Sequence, residues 1–135
     1  MRRSCTSPIF VCLCAVLFGC FALPSAVSAI EIQIDVAPNV LNIQSESTVV
    51  TVHTDIAYNL VEGSSVFLNG VSISYGKSDN RGNFVAKFLA SDIKTLEGLV
   101  IGGYNTLVLM GYTIDGEAFI GQQEIMVIDI QSNGN

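Results

Sequence analysis

The sequence predicts an all-β domain that folds as a sandwich of two antiparallel sheets. About seven segments either alternate between apolar and polar residues or are rich in β-branched residues, as strands are. Turn signals separate these segments about every 8 to 12 residues, the spacing of strands in a sandwich. No long segment shows the apolar period of a helix, so an α/β fold is not supported. A flattened barrel is the alternative arrangement of the same strands.

Residues 1–29 are predicted to be a cleaved signal peptide. The segment begins with Met1-Arg2-Arg3, continues as an apolar run over 9–23, and ends in small residues at 26–29. The run is shorter than the roughly 20 residues of a membrane-spanning helix. Cys20 lies in a loose lipobox, but Phe18 is large for that motif and a better cleavage site follows, so a lipid anchor is disfavoured. The sequence therefore predicts an exported protein, periplasmic or extracellular, with no membrane span.

The predicted mature domain is acidic and has no cysteine, because all four cysteines precede residue 29. Its strong cations are Lys77, Arg81, Lys87 and Lys94, against all 12 acidic residues of the chain, for a net charge of −8. Phosphate backbones repel such a domain, which excludes nucleic acid as a partner. Without disulfides, the domain must be stabilised by its apolar core.

The first half of the domain contains three strand signals. Residues 30–36 alternate isoleucine or valine with polar residues, and Pro38-Asn39 ends this strand. A second strand is predicted over 48–56. Residues 66–75 have the pattern of a hairpin whose turn is Asn69-Gly70, a pair that tolerates positive φ. One face of the second strand should be buried, and its members are Val50, Val52, Thr54 and Ile56.

The second half contains one short helical turn among strands. A polar turn over 78–83 leads into a strand over 84–89. Ser91 has the position of a helix N-cap, which predicts a helical turn over 92–96. After a loop at Gly102-Gly103, Asp115-Gly116 joins the last two strands in a hairpin. Those strands are predicted over 106–112 and 118–130, the domain is predicted over 30–130, and the polar tail 131–135 is predicted to be disordered.

Four segments in this order resemble the immunoglobulin-like modules of bacterial secreted and cell-surface proteins. They are Ser65–Val71, Asp79–Phe84, Asn105–Leu109 and Gly116–Gly121. Such modules occur beside dockerins, adhesins and glycan-active enzymes. The resemblance covers nearly all of 30–130 and implies an immunoglobulin-like sandwich that serves spacing, adhesion or partner binding. The Cys, Trp, Cys pattern of antibody domains is absent.

Few residues of the predicted domain are candidates for catalysis or metal binding. His53 is predicted to be a solvent-facing strand residue, because no second His or Cys follows residue 29. Asp79, Asn83 and Asp115 are weak candidate calcium ligands, because calcium favours such oxygens. However, Arg81 interrupts the first turn, and turns use Asp and Asn for their own backbone bonding. No serine lies in a nucleophile elbow. The sequence therefore predicts no catalytic residue and no required cofactor.

The last two strands are apolar on both faces, although a sandwich buries one face of each strand. In the strand over 106–112, Leu107 and Leu109 lie on one face, and Val108, Met110 and Tyr112 lie on the other. One explanation is that loops or the 92–96 turn cover the outer face. The other is that the outer residues contact another chain, because exposed apolar patches often mark such sites. The candidate partner-binding residues are Val108, Met110, Tyr112, Met126 and Ile128.

These observations predict an exported, non-catalytic module for binding, adhesion or structure, whose partner is another protein or a cell-surface component. The alternative is a calcium-stabilised or carbohydrate-binding accessory module. Sugar rings usually stack on exposed aromatic side chains, and the chain has no tryptophan. Four tyrosines would have to fill that role, namely Tyr58, Tyr75, Tyr104 and Tyr112.

Overall fold

The computed structural model describes residues 28–131. Nearly all of the predicted signal peptide and the last four residues of the predicted tail lie outside this part of the chain. Ten strands, a 3₁₀ turn (Tyr58–Leu60) and helix α1 (Ala90–Lys94) are found within it. The strands are β1 (Ile30–Glu31), β2 (Ile34–Ala37), β3 (Val40–Asn42), β4 (Val49–Ala57), β5 (Val61–Leu68), β6 (Val71–Ser72), β7 (Tyr75–Ser78), β8 (Asn83–Leu89), β9 (Gly103–Thr113) and β10 (Ala118–Ile128).

The strands form two sheets that face each other across one core, so the predicted all-β sandwich is confirmed. Sheet A has the order β1-β10-β9-β5-β6, with β3 also paired to β10. Sheet B has the order β2-β4-β8-β7. Apart from β1 and β3, which run parallel to β10, every neighbouring pair of strands is antiparallel.

The N-terminal segment alternates between the two sheets. It starts in sheet A, where β1 pairs with Phe119 and Ile120 of β10. It then crosses to sheet B, where β2 pairs with β4, and returns to sheet A, where β3 pairs with 126–128 of β10. The single strand predicted over 30–36 is therefore wrong, because alternation identifies a buried face but not the sheet that provides it. The crossing passes close to Gly121, where an added Cβ would lie 2.9 Å from the carbonyl oxygen of Ile32.

The core lies between the sheets and is almost entirely apolar. The predicted inner face of β4 is confirmed, since Val50, Val52, Thr54 and Ile56 are all buried. Thr54 is the buried polar residue of this face, and its hydroxyl donates to the carbonyl oxygen of Phe84 at 2.6 Å. That bond removes the cost of burying the hydroxyl. The largest fully buried side chains are Phe84, Phe88 and Phe119.

The turns of both predicted hairpins are present, although the return strand of the hairpin predicted over 66–75 ends at Ser72 and Tyr75 begins β7 of sheet B. Asn69 and Gly70 have φ of +47° and +83°, the left-handed values that a two-residue turn between β5 and β6 requires. The β9–β10 hairpin has a longer connection, in which the N–H of Thr113 donates to the carbonyl oxygen of Glu117 at 2.8 Å. Gly116 alone supplies a positive φ there, +88°. Local turn chemistry thus fixes both reversals.

The helical turn exists, but its predicted start was wrong. Helix α1 covers Ala90–Lys94, and its N-cap is Leu89, which makes no side-chain capping bond. Ser91 lies inside the helix. Burial decides this register, because Ala90 and Ile93 are both fully buried against the core.

Candidate interaction surface

The outer face of sheet A exposes large apolar side chains. Along β9 the inward residues Leu107 and Leu109 have no exposed surface, whereas Met110 and Tyr112 are 52% and 54% exposed. Strand geometry explains the contrast, because successive side chains point to opposite faces. The two-sided apolar pattern of β9 therefore does not reflect burial on both sides.

Cross-strand pairing extends the exposed residues of β9 into a patch. Met110 pairs with Phe67 of β5 on one side and with Ile120 of β10 on the other. Phe67 is 41% exposed and Ile120 is half-buried. Val108 and Tyr112 flank this row along β9. We call these five residues the central patch: Phe67, Val108, Met110, Tyr112 and Ile120.

A second apolar group lies farther along the same face. Tyr104, the most exposed large apolar side chain of β9 at 65%, pairs with Met126, which pairs with Val40 of β3. A polar pair, Thr106 and Glu124, separates this group from the central patch. Tyr104 and Tyr112 are about 27 Å apart at the rise of an antiparallel strand. The face spans about 14 Å across β5, β9, β10 and β3, for an area of about 400 Å².

All five predicted contact residues lie on this outer face, and helix α1 does not cover them. Val108, Met126 and Ile128 are half-buried, and Met110 and Tyr112 are exposed. Helix α1 packs mainly against β4 and β8 of sheet B. The explanation that the 92–96 turn covers the face is therefore wrong. Sequence reasoning missed four members of the face, namely Phe67, Ile120, Tyr104 and Val40.

The charges on sheet A are carboxylates. Glu62 pairs with Tyr112, and Glu31 pairs with Ile120, so both border the central patch. Glu124 lies between the two apolar groups. The strands of sheet A contain no lysine or arginine. The face thus carries two groups of apolar side chains, with carboxylates between and around those groups.

His53 lies on the outer face of sheet B and is exposed, as predicted. Its neighbours on β2 and β8 are Asp35 and Val85. Lys77 of β7 pairs with Val85 in the same row. This row mixes charged and apolar residues, and Tyr75 and Leu89 are also exposed on the strands of sheet B.

Asp79 stabilises its own turn. Its Oδ1 accepts the backbone N–H of Arg81 at 2.8 Å and that of Asn83 at 2.9 Å. The bond from Asn83 is the main cause that holds the pKa of Asp79 below its usual value, and the N–H and charge of Arg81 add to it against some desolvation. Asp115 lies in the β9–β10 connection of the other sheet. Within residues 28–131, no group of three His, Cys, Asp or Glu side chains is placed to hold a metal ion.

An open recess of about 510 Å³ lies at one end of the sandwich, beside the β9–β10 connection. Apolar side chains and carboxylates line this recess, and His53 is not among the lining residues. Its lining residues include Ile30, Ile56, Leu60, Glu31, Asp55, Asp115 and Glu117. At the same end, Tyr58 stacks on Phe84 with ring centroids 6.2 Å apart, so one face of the Tyr58 ring is occupied.

Comparison with known proteins gives a distant likeness. No protein-family model matches the chain, and no curated protein matches it. Among solved structures, the chain is similar to one described as "Structural insight into host cell surface retention of a 1.5-MDa bacterial ice-binding adhesin". The two share 16% sequence identity with a TM-score of 0.43, over 78% of this chain and 33% of the adhesin chain. The chain thus spans about a third of that adhesin chain, and a likeness this distant assigns no function. In residues 28–131, no helix has the length and hydropathy of a membrane span.

Proposed function

We propose that the chain is an exported immunoglobulin-like module that acts without catalysis, through contact with another protein or a cell-surface component. The strand order supports the immunoglobulin-like assignment. Immunoglobulin strands are lettered A to G in chain order, and here those letters fall on β2, β4, β5, β7, β8, β9 and β10. The sheet of β2, β4, β8 and β7 then has the strand order A-B-E-D, and the centre of the other sheet has the strand order C-F-G. A constant-type immunoglobulin domain has the same two strand orders, which supports the proposal.

The outer face of sheet A carries the functional proposal. The neighbouring Phe67, Met110 and Tyr112 are each at least 41% exposed, and Phe67 pairs with Met110 across β5 and β9. Covering such side chains with a partner is favourable by about 25 cal/mol for each Å² removed from water. A face of about 400 Å² is half of the roughly 800 Å² per partner in a standard interface. We therefore expect a weak, reversible contact.

The test is a pair of matched double variants of the exported protein in the producing bacterium. Met110→Ser/Tyr112→Ser removes apolar surface from sheet A, whereas Tyr75→Ser/Leu89→Ser removes side chains of similar exposure from sheet B. We expect wild type and the sheet B variant to stay with the cells, and the sheet A variant to be released into the medium. Immunoblots of cell and medium fractions measure this, and thermal melts establish that both variants fold. Equal retention of the two variants would overturn the proposed contact surface.

A further inference from the structure

The strong cations of the described domain lie away from sheet A, whereas carboxylates occur on both sheets. Lys77 and Lys87 lie in β7 and β8 of sheet B, and Arg81 lies in the turn between them. Lys94 lies in α1, where its Nζ donates to the carbonyl oxygen of Ser45 at 2.6 Å. All strong cations of residues 28–131 are therefore off the strands of sheet A.

Sheet A, in contrast, places carboxylates within its apolar face. Glu31, Glu62 and Glu124 are exposed and occupy register positions beside Ile120, Tyr112 and Thr106. The Oε1 of Glu62 accepts a bond from the hydroxyl of Ser64 at 3.1 Å, which leaves most of the carboxylate's hydrogen-bonding capacity free. A partner that covers the outer face from Tyr112 to Tyr104 also displaces water from these carboxylates.

That desolvation restricts the chemistry of the partner. A purely apolar partner would leave charges without water or a counter-charge, which is costly. A second copy of this chain has four strong cations against 12 acidic residues after residue 29, so two copies repel each other. Lysine or arginine side chains instead give each carboxylate a charge-assisted hydrogen bond and increase the rate of encounter.

We propose that the outer face of sheet A docks a basic, apolar polypeptide surface. In this complex, lysine or arginine side chains of the partner reach Glu62 and Glu124, while its apolar side chains cover the central patch. This inference rests on the proposed function and adds the chemical class of the partner. It also explains why all the strong cations of the described domain lie away from this face, since a cation on sheet A would repel the partner.

The experiment uses a fluorescent peptide of alternating leucine and lysine as the probe. Its binding to the exported protein is measured by fluorescence anisotropy at low and high salt, with a leucine–glutamate peptide of equal length as the negative probe. We expect the basic peptide alone to bind, and salt to weaken that binding. The double variant Glu62→Gln/Glu124→Gln should weaken it about fivefold, because each exposed ion pair contributes roughly 0.2–1 kcal/mol. Met110→Ser/Tyr112→Ser should also weaken it.

The matched control is Asp35→Asn/Glu46→Gln, which removes the same charge from exposed positions outside sheet A. We expect this control to bind the basic peptide within twofold of wild type. If both charge variants lose equal affinity, the attraction belongs to the whole acidic protein and the inference is wrong.

Two other outcomes would also overturn the inference. Equal binding of both peptides would remove the requirement for basic groups. Concentration-dependent dimers that disappear in Met110→Ser/Tyr112→Ser would identify a second copy as the occupant. If the basic peptide does not bind but that variant is still released from cells, the partner class is wrong and the contact surface remains. If the variant is retained like wild type, the proposed function itself fails.

Discussion

Gly121 tests how closely the crossing N-terminal segment packs on β10. An alanine Cβ there would lie 2.7 Å from Cγ2 of Ile34 and 2.9 Å from the carbonyl oxygen of Ile32. Ordinary contact begins at 3.4 Å, so the Ile32 backbone must move by about half an ångström. This shift also stretches the 2.9 Å hydrogen bond from the N–H of Ile32 to the carbonyl oxygen of Ile120. The substitution Gly121→Ala therefore perturbs the crossing directly.

The expected cost combines three contributions. Overpacking of a tight site costs about 1–3 kcal/mol, and weakening one hydrogen bond costs about 1 kcal/mol. Replacing glycine by alanine restricts the unfolded chain and returns about 0.4–1 kcal/mol. We expect a net loss of about 2 kcal/mol in the free energy of unfolding, which lowers the urea midpoint by about 1 M.

Gly63→Ala is the matched control for this substitution. Gly63 also lies in a strand without a positive φ, and an added Cβ there meets nothing within 4 Å. We expect Gly63→Ala to leave the urea midpoint unchanged or slightly higher. A Gly121→Ala variant whose stability lies within about 0.5 kcal/mol of the Gly63→Ala variant would refute the argument from close packing.

Three further predictions follow from single features of the domain. Gln123→Leu leaves the N–H of Val36 without the side-chain oxygen that accepts it at 2.7 Å, so urea unfolding should show a loss of about 1–3 kcal/mol; an unchanged midpoint would contradict this. Because the folded pKa of Asp79 lies below 3.8, its stabilisation is present at neutral pH and disappears as the pH falls through the folded pKa. The gap in urea midpoint between wild type and Asp79→Asn should therefore close as the pH falls below 3.8, and a constant gap would be the opposing result. Millimolar Ca²⁺ should leave the melting temperature unchanged, whereas a rise would revive the calcium-stabilised alternative.

Local signals in the sequence predicted the turns of both hairpins and most of the long strands, but they missed residues 61–65 of β5. Asn69-Gly70 specifies its turn through backbone conformations available within two residues, and the alternation of β4 identified its buried face. The path of residues 30–42 could not be predicted, because Ile30, Ile32, Ile34 and Val36 have the same pattern whichever sheet receives them. Tertiary pairing with β10 decides that path.

The candidate surface was predicted in part for a similar reason. The two-sided apolar pattern of β9 and β10 identified Met110 and Tyr112 as unexplained residues. Phe67 gave no such signal, because it lies in the apolar run Val66-Phe67-Leu68, and an aromatic residue within such a run is typical of a core. Its exposure follows from pairing with Met110, a contact between residues far apart in the sequence.

The pairing of β1 and β3 with β10 makes the two ends of the domain depend on each other during synthesis. The bond between Val36 and Gln123 joins residues 87 positions apart, and β10 is the last strand of the described chain to emerge. Before β10 has been made, β1 and β3 have no strand of sheet A with which to pair. Contacts over such separations form slowly. The N-terminal edge of sheet A therefore forms only after the whole described domain has been made.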